Sequence, residues 1–439
     1  MHTLERLRRG ELAGITRLDL CADLTHFPPE IFTLADSLEV LNLSGNQLSS
    51  LPDDLPRLHK LRILFCSDNA FTQVPAVLGQ CPELEMVGFK ANRIHQLPAA
   101  ALPPKLRWLI LTDNQLEQLP DEIGHCEHLQ KLMLAGNRLR ALPATLAHCH
   151  RLELLRIAAN QLPGLPAWLL NMPRLSWLAF AGNPFSDAME AEVLAQHPLP
   201  PIAREHLELG EVLGQGASGV IHRALWQAPA QATKAMAVKL FKGSLTSDGL
   251  PHSEMAACIA AGEHPNLVGV AGPLADQSDA APGLLLELIA PSFSVLANPP
   301  SLQSCTRDCY APQQRFTVEQ VLRIASSVAS AVAHLHGRGI VHGDLYGHNL
   351  LVDPLGSTLL SDFGAASFHD PLSDEGRMLQ RLEARAFGCL LEELLERCDG
   401  GTENPRLRHV SRLKRQCLDR PSLRPDFMSM ARELQALPN

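Results

Sequence analysis

The feature that most constrains the fold is a series of evenly spaced asparagines in the first half of the chain. They follow one another at intervals of 22 or 23 residues: Asn46, Asn69, Asn92, Asn114, Asn137, Asn160 and Asn183. Around each of them the sequence approximates LxxLxLxxNxLxxLPxxL, as in LEVLNLSGNQLSSLPDDL, and LDLCADLTHFPPEI is an earlier, imperfect copy. A unit of this length cannot bury its own leucines, so successive units must stack and share one core.

This pattern resembles the leucine-rich repeat family, in its short Leu-Pro type, over roughly residues 15–185. The resemblance implies a solenoid of about eight repeats of 23 residues. Each LxL segment is expected to be a short strand, and each asparagine is expected to bond the backbone of its turn. We place this domain, with N- and C-terminal caps, at residues 1–200.

The strands of the repeats are predicted to present an apolar strip on their concave side. Side chains alternate along a strand, so the residues flanking each central leucine face that side. The large apolar ones are Ile63, Phe65, Met86, Trp108, Ile110, Met133, Leu154 and Trp177. A solvated face is rarely so apolar. We expect a protein partner to contact Ile63, Phe65, Trp108, Ile110 and Trp177. Two alternatives stay open: the second half of the chain covers the face, or the register is displaced by one residue.

The second half carries motifs suited to binding phosphate groups. Gly214, Gly216 and Gly219 form G-x-G-x-x-G between two strand-like runs, which a glycine-rich hairpin alone would also explain. Lys239 follows in an apolar strand, where a lysine needs a partner or a route to solvent. Glu254 lies 15 residues later in the helix-like HSEMAACIAAG and is able to reach it. IVHGDLYGHNLLVD and LLSDFGAAS complete the series.

Taken in order, these motifs resemble the protein kinase family over about residues 207–435. The resemblance implies an α/β leucine-rich repeat solenoid followed by an α+β bilobal protein-kinase-like domain, placed at 201–439, with ATP and Mg²⁺ between the lobes. ATP contacts are implied for Gly214, Gly216, Gly219, Ile221, Ala237, Lys239, Glu254, Glu287 and Leu351, with Leu286 as gatekeeper. Asp344, Lys239 and Asn349 are the implied catalytic residues. Asn349 and Asp362 are the implied magnesium ligands, and Asp344 the acceptor of the substrate's hydroxyl proton.

The catalytic loop departs from the family pattern at three positions. Gly343 replaces the usual arginine, so control by phosphorylation of the activation segment is not expected. Tyr346 stands where serine/threonine kinases carry a lysine, and His348 where tyrosine kinases carry an arginine. A protonated His348 would stabilise charge in phosphoryl transfer. A purely structural role for His348 stays open.

The segment after Gly364 is too short to contain an A-P-E motif. Glu383, at the position usually held by an aspartate in the central helix, follows Gly364 by only 19 residues. The surface that docks a peptide substrate is therefore predicted to be short or missing. Arg424 would normally pair with the glutamate of that motif, and we expect it to pair with Glu383 instead.

Composition narrows the functional classes. The formal net charge is −9, which argues against nucleic acid as the main partner, and no uncharged apolar stretch reaches the roughly 20 residues of a membrane span. The 11 cysteines suit a reducing compartment, with Cys81, Cys126 and Cys149 expected as buried core residues and Cys305 and Cys309 as a weak candidate for a metal or redox pair. Few lysines beside many arginines favour a bacterial source. Together with the resemblance to protein kinases, these observations lead us to expect a cytoplasmic protein kinase, serine/threonine rather than tyrosine. The alternative is a pseudokinase, an ATP-binding scaffold that acts through its repeats.

Overall fold

The fold is that of a computed structural model, which describes residues 2–196, 198–216, 218–227, 232–275, 280–401 and 404–437. The chain forms two compact units, Met1–Arg174 and Leu175–Asn439. The division falls earlier than the predicted domain boundary at residue 200. The reason is that the last repeat strand and the helix after it pack within the second unit.

The first unit is a leucine-rich repeat solenoid built on a parallel sheet. Its strands are β1 (Arg17–Asp19), β2 (Val40–Asn42), β3 (Ile63–Phe65), β4 (Met86–Gly88), β5 (Trp108–Ile110), β6 (Lys131–Met133) and β7 (Leu154–Arg156). Each pairs with the next in register, so that Leu41, Leu64, Val87, Leu109, Leu132 and Leu155 stand side by side. These central residues are at most 2% exposed and form one continuous core.

Short helices return the chain between the strands. The N-terminal cap contains α1 (Leu4–Arg8). The connections contain 3₁₀ helices at Pro29–Leu34, Leu55–Arg57, Ala76–Gln80, Ala99–Ala101, Asp121–His125, Ala144–His148 and Leu169–Asn171. Cys81, Cys126 and Cys149 end three of these turns and are at most 5% exposed, and burial raises the pKa of the Cys81 thiol to about 11. They are core residues, as expected.

The repeat asparagines tie neighbouring coils together. The side-chain nitrogen of Asn114 donates to the carbonyls of Leu111 and Phe89 at 3.1 and 2.9 Å. Its side-chain oxygen accepts from the backbone N–H of Ile94 at 2.9 Å. One buried side chain thus satisfies three backbone groups that the short strands cannot reach.

The second unit opens with β8 (Trp177–Ala179) and α2 (Pro184–Gln196). A 3₁₀ turn at Arg204–His206 leads to an antiparallel sheet in the order β12-β13-β11-β10-β9. Its strands are β9 (Leu207–Gln215), β10 (Gly219–Trp226), β11 (Lys234–Phe241), β12 (Val270–Pro273) and β13 (Gly283–Glu287). Helix α3 (Pro251–Ala261) follows β11. Met236, Val238 and Leu285 lie at the centre of the core beside this sheet.

A helical region completes the unit. It contains α4 (Val318–Gly337), α5 (Asp374–Glu396), α6 (Pro405–Cys417) and α7 (Phe427–Gln435), with 3₁₀ turns at Gly347–Asn349 and Pro421–Leu423. The small strands are β14 (Ser294–Val295), β15 (Ile340–Val341), β16 (Leu350–Val352), β17 (Thr358–Leu360) and β18 (Ser367–Phe368). Thr317 and Gln320 form a capping box at the start of α4. The strands β15, β16 and β18 flank the loops that carry Asp344 and Asp362, and their pairing fixes the ends of these loops.

Candidate active site

The glycine motif forms the hairpin between β9 and β10. Gly214 lies near the end of β9, and the backbone N–H of Gly216 donates to the carbonyl of Gly219 at 3.0 Å. A Cβ atom at Gly214 or Gly216 would meet no described atom within 4 Å. The backbone of this turn is therefore open to a ligand, which is what a phosphate-binding loop requires.

Lys239 and Glu254 form a buried ion pair between β11 and α3. Their side chains are 12% and 2% exposed. Burial opposes the charge on Lys239, but Glu254 and Asp362 outweigh it and raise the pKa of the lysine. Burial also raises the pKa of Glu254, against the influence of Lys239. The pair places one fixed cation beside the carboxylate of Asp362.

The residues predicted around the adenine lie on two separate sheets. Ile221 on β10 stands opposite Lys239 on β11, and Ala237 on β11 stands opposite Leu286 on β13. Glu287 ends β13, and its exposed carboxylate lies 3.5 Å from the ammonium of Lys234. Leu351 lies on β16. The joint adenine site of these residues stays a prediction.

The catalytic loop brings Asp344 and Asn349 together. The side-chain nitrogen of Asn349 donates to Asp344 twice, to its carbonyl at 2.9 Å and to its carboxylate at 2.8 Å. Asn349 is 5% exposed, whereas 16% of the Asp344 side chain faces solvent. A buried amide thus orients a carboxylate that stays partly exposed to solvent.

Asp362 occupies a tight turn directly before Phe363. Its φ is 58°, and its carboxylate accepts from the backbone N–H of Gly364 at 3.1 Å. A Cβ atom at Gly364 would lie 3.2 Å from the Asp362 carboxylate and 3.7 Å from that of Glu254. Lys239, Glu254 and Asp362 therefore lie close together in the structure.

Glu383 on α5 holds the catalytic loop from behind. It accepts from the backbone N–H groups of His342 and Gly343 at 3.2 and 2.8 Å and lies 2.8 Å from the ring nitrogen of His336. Burial opposes its charge, but these donors outweigh it and hold its pKa below the usual value. The predicted pairing of Glu383 with Arg424 is wrong. Arg424 donates to the carbonyls of Asp419 and Arg381 instead, because the carboxylate of Glu383 is already engaged by His336 and the backbone of the catalytic loop.

His348 is hydrogen-bonded to the carboxylate of Asp308, a residue that the sequence analysis did not identify. The backbone N–H of His348 donates to Asp308 at 3.0 Å, and the Nδ1 atom of its ring lies 2.7 Å from the same carboxylate. The Nε2 atom lies 3.9 Å from the carboxylate of Asp344. Burial lowers the pKa of His348, but Asp308, Asp344 and Asp362 outweigh it and the net shift is upward. Three carboxylates thus favour the imidazolium.

Tyr346 and Trp177 form a stacked pair. Their ring centroids lie 4.2 Å apart with an angle of 8° between the planes, and Trp177 is 1% exposed. Trp177 is therefore not available to a separate protein, contrary to its predicted place among the partner contacts. Trp108 and Ile110 are half-buried, as is Phe65, whereas Ile63 is 9% exposed.

Sequence reasoning missed Asp308 and the internal role of Trp177. Asp308 lies in an irregular loop 40 residues before His348, and no motif includes it. Trp177 repeats the pattern of the other strands, so its position indicated a concave-face residue. One indirect signal for Trp177 was present in the sequence. Tyr346 stands where a cation was expected, and a buried aromatic ring needs another aromatic or apolar group packed against it.

Comparison with known proteins agrees with this geometry. Residues 207–384 match the family model for protein tyrosine and serine/threonine kinases. Residues 36–79 and 104–162 match leucine-rich repeat models. The chain therefore combines leucine-rich repeats with a domain of the protein tyrosine and serine/threonine kinase family.

This chain spans less than half the length of the curated relatives that it matches. The chain is 34% identical over 181 residues to CBL-interacting protein kinase 22 of Oryza sativa subsp. japonica, covering 37% of each protein. It is 26% identical over 196 residues to fibroblast growth factor receptor 1 of Xenopus laevis, covering 42% of this chain and 24% of the receptor. A solved leucine-rich repeat protein of Leptospira interrogans is 24% identical with a TM-score of 0.37, over 42% of this chain and 53% of that one. Within the described residues, no helix has the length and apolar character needed to cross a bilayer.

Proposed function

We propose that the chain is an ATP-dependent protein kinase that transfers the γ-phosphoryl group to a serine or threonine hydroxyl. The observation that carries the proposal is the convergence of Lys239, Glu254 and Asp362, beside a catalytic loop in which Asn349 orients Asp344. A cation, two acidic groups and an amide in this arrangement suit a nucleotide triphosphate and a divalent ion.

The donor set fits Mg-ATP. The open backbone at Gly214 and Gly216 admits phosphate oxygens, and Lys239 supplies a fixed positive charge for them. Asp362 and Asn349 supply the oxygen ligands that Mg²⁺ prefers. The Asn349 nitrogen is engaged by Asp344, so the amide oxygen is the atom left for the metal. Asp362 and Asn349 would hold Mg²⁺ where its charge offsets the negative charge that develops during phosphoryl transfer.

Asp344 is the proposed acceptor of the substrate's proton. Its partial exposure leaves its carboxylate in reach of an incoming hydroxyl group, and Asn349 holds its orientation. Proximity and orientation of this kind account for much of the rate of such transfers.

His348 is the proposed cation of the catalytic loop, and Asp308 is the residue that positions it. Asp308 engages both the backbone and the ring of His348, so the Nε2 atom points to the side on which Asp344 lies. An imidazolium there stabilises negative charge on the transferred group, the task that a lysine or arginine performs in the relatives resembled by the sequence.

A second candidate function is that of an ATP-binding scaffold without transfer activity. It is favoured by Tyr346, which places a stacked aromatic ring where a lysine is usual, and by the short connection of residues 365–373 between Gly364 and α5. Both candidates need the nucleotide site.

Radiolabel transfer separates the two candidates. The full-length protein is incubated with γ-labelled ATP and magnesium, with Asp344→Asn as the matched variant. The kinase proposal predicts label on protein in the wild type and a loss of at least about 100-fold in the variant, because the proton acceptor is removed while the fold keeps an isosteric side chain. No label on either protein beside clear ATP binding would favour the scaffold, whereas equal labelling of both proteins would contradict the role proposed for Asp344.

A further inference from the structure

The last repeat segment, Ser176–Ala181, lies against the catalytic loop within the second unit. The indole Nε1 of Trp177 donates to the carbonyl of Leu345 at 3.0 Å, and its ring stacks on Tyr346. Trp177 and Tyr346 are 1% and 4% exposed. The contacted residues are the two that directly follow Asp344, so one tryptophan constrains both the backbone and a side chain of that loop.

The same segment also holds the chain that follows Asp362. The backbone N–H groups of Phe180 and Ala181 donate to the hydroxyl of Ser367, each at 3.1 Å. Ser367 is completely buried. A guanidinium nitrogen of Arg385 on α5 donates to the hydroxyl of Ser176 at 2.8 Å. The segment is thus bonded at three points, on the catalytic loop, on β18 and on α5.

Gly343 shows how closely the segment approaches. Its φ is 72°, and a Cβ atom there would lie 2.7 Å from the carbonyl oxygen of Leu178 and 2.5 Å from that of Ala365. A real Cβ atom does not come so close to backbone oxygens. The catalytic loop therefore accommodates the segment only because residue 343 is glycine.

We propose that Trp177 is a positioning residue for phosphoryl transfer: it fixes the peptide that carries Asp344 through Leu345 and Tyr346. The proposal rests on the proposed kinase function. The connection of residues 365–373 is too short to brace the loop over a wide area, and the segment Ser176–Ala181 supplies that support. A displaced carboxylate lowers the rate of transfer far more than it weakens nucleotide binding, because the nucleotide is held by Lys239 and the glycine turn.

The alternative is that Trp177 is ordinary core, which stabilises the unit without bearing on the site. The two roles predict different variants. Trp177→Phe keeps an aromatic ring on Tyr346 but lacks the N–H that bonds Leu345. Trp177→Ala removes both. Trp168→Phe is the matched control, since Trp168 is half-buried in the first unit.

The test combines kinetics with hydrogen–deuterium exchange on full-length proteins. For Trp177→Phe we expect the turnover of γ-labelled ATP to fall about 10-fold or more, with KM for ATP changed less than about 3-fold. Exchange should rise in peptides covering 340–349 and 365–369, with no change in β9–β11. Trp168→Phe should match the wild type in both measurements.

Two outcomes would overturn the proposal. One is wild-type turnover and wild-type exchange at 340–349 in Trp177→Phe. The other is exchange that rises equally across the second unit in both Trp177 variants, which is the signature of a purely structural role. If the wild type itself transfers no phosphate, the kinase function fails, yet the exchange data still show whether Trp177 holds the loop. A failure of each idea is therefore recognised separately.

Discussion

At the scale of single residues, charge at this site is set by carboxylates gathered around a few cations. Lys239 is held by Glu254 and faces Asp362, while His348 is held by Asp308 and faces Asp344. Glycine stands at position 343, where the protein kinases that this sequence resembles carry an arginine, and a side chain there would collide with the carbonyl oxygens of Leu178 and Ala365. Because this arginine is absent, we expect nucleotide binding and phosphoryl transfer to depend strongly on Lys239 and His348.

Lys239→Ala is expected to abolish most binding of Mg-ATP. Losing a phosphate-contacting cation removes charge-assisted bonds of roughly 2–3 kcal/mol, a factor of about 30 to 150 in affinity. The measurement is the thermal shift caused by Mg-ATP, compared with the wild type. Lys242→Ala, at a nearby lysine outside the proposed site, is the control. An equal shift in Lys239→Ala and wild type would remove Lys239 from the nucleotide site.

Catalysis is expected to fall as pH rises through the pKa of His348. The imidazolium is the form that we propose to be active, and because the pKa of His348 is raised, activity is expected to extend above the usual value of about 6.5. Asp308→Asn replaces the carboxylate that contributes most to raising this pKa by a neutral amide, so the pKa of His348 falls and the descending limb of the pH–rate profile moves to lower pH.

The control for this profile is His348→Arg, whose cation does not titrate. Asp344 and Asp362 also face His348, and Glu393, with a pKa raised by burial to about 7, lies near Asp308. These groups remain in His348→Arg. If that variant shows the same descending limb as the wild type, the pH dependence belongs to them and not to His348.

At the scale of elements, a short connection and a short strand take the place of a long activation segment. Only residues 365–373 separate Gly364 from α5, and β18 within them pairs with β15 beside the catalytic loop. Ser367 and Ser373 are the hydroxyls of this connection. Ser367 is buried and bonded to Phe180 and Ala181, and Ser373 caps α5 by accepting from the N–H of Gly376.

Neither serine is expected to switch the protein by phosphorylation. Ser367 is buried and therefore inaccessible to the active site of another kinase molecule. Residue 343 is a glycine, so the arginine that would bind a phosphate on this segment is absent. Mass spectrometry after incubation with Mg-ATP should find no phosphate on Ser367. Ser373→Ala should lower the free energy of unfolding by about 1 kcal/mol through loss of the cap, with activity preserved. Loss of activity in Ser367→Ala and in Ser373→Ala, restored by aspartate at either position, would contradict this expectation.

At the scale of the whole molecule, the apolar strip on the first unit is a candidate surface for a protein partner. Phe65, Trp108 and Ile110 remain half-exposed, whereas Ile63 is nearly buried. The Trp108 indole donates to the Met133 sulfur at 3.3 Å and carries the Lys131 ammonium 4.3 Å from its ring centroid. An ordered aromatic ring of this kind is typical of interface residues that carry most of the binding energy.

Trp108→Ala is expected to weaken a protein partner of the repeats by about 2 kcal/mol, or roughly 30-fold in Kd. The partner is first identified by cross-linking to the wild-type chain in its native cell. It is then purified, and its Kd for the wild type and for Trp108→Ala is measured by titration. Trp168→Ala is the control, because Trp168 lies on the turn side of its repeat. An unchanged Kd in Trp108→Ala would leave the strip without this role.

Sequence alone determined the parts of this protein that depend on periodicity or on order along the chain. A 23-residue repeat of leucine and asparagine permits only stacked coils, and the positions of the repeat strands followed from it. The ordered glycine, lysine, aspartate and asparagine motifs indicated the kinase domain in the same way. The repeat period and the motifs can be recognised from short stretches of sequence, because each is defined by residues at fixed spacing along the chain.

Tertiary structure alone decided which distant residues meet. Asp308 reaches His348 across 40 residues, and Trp177 reaches Leu345 across 168. Glu383 turned to the backbone of the catalytic loop rather than to Arg424, since buried N–H groups there need an acceptor. These pairings depend on packing that brings separate elements together, and no spacing within the sequence encodes them.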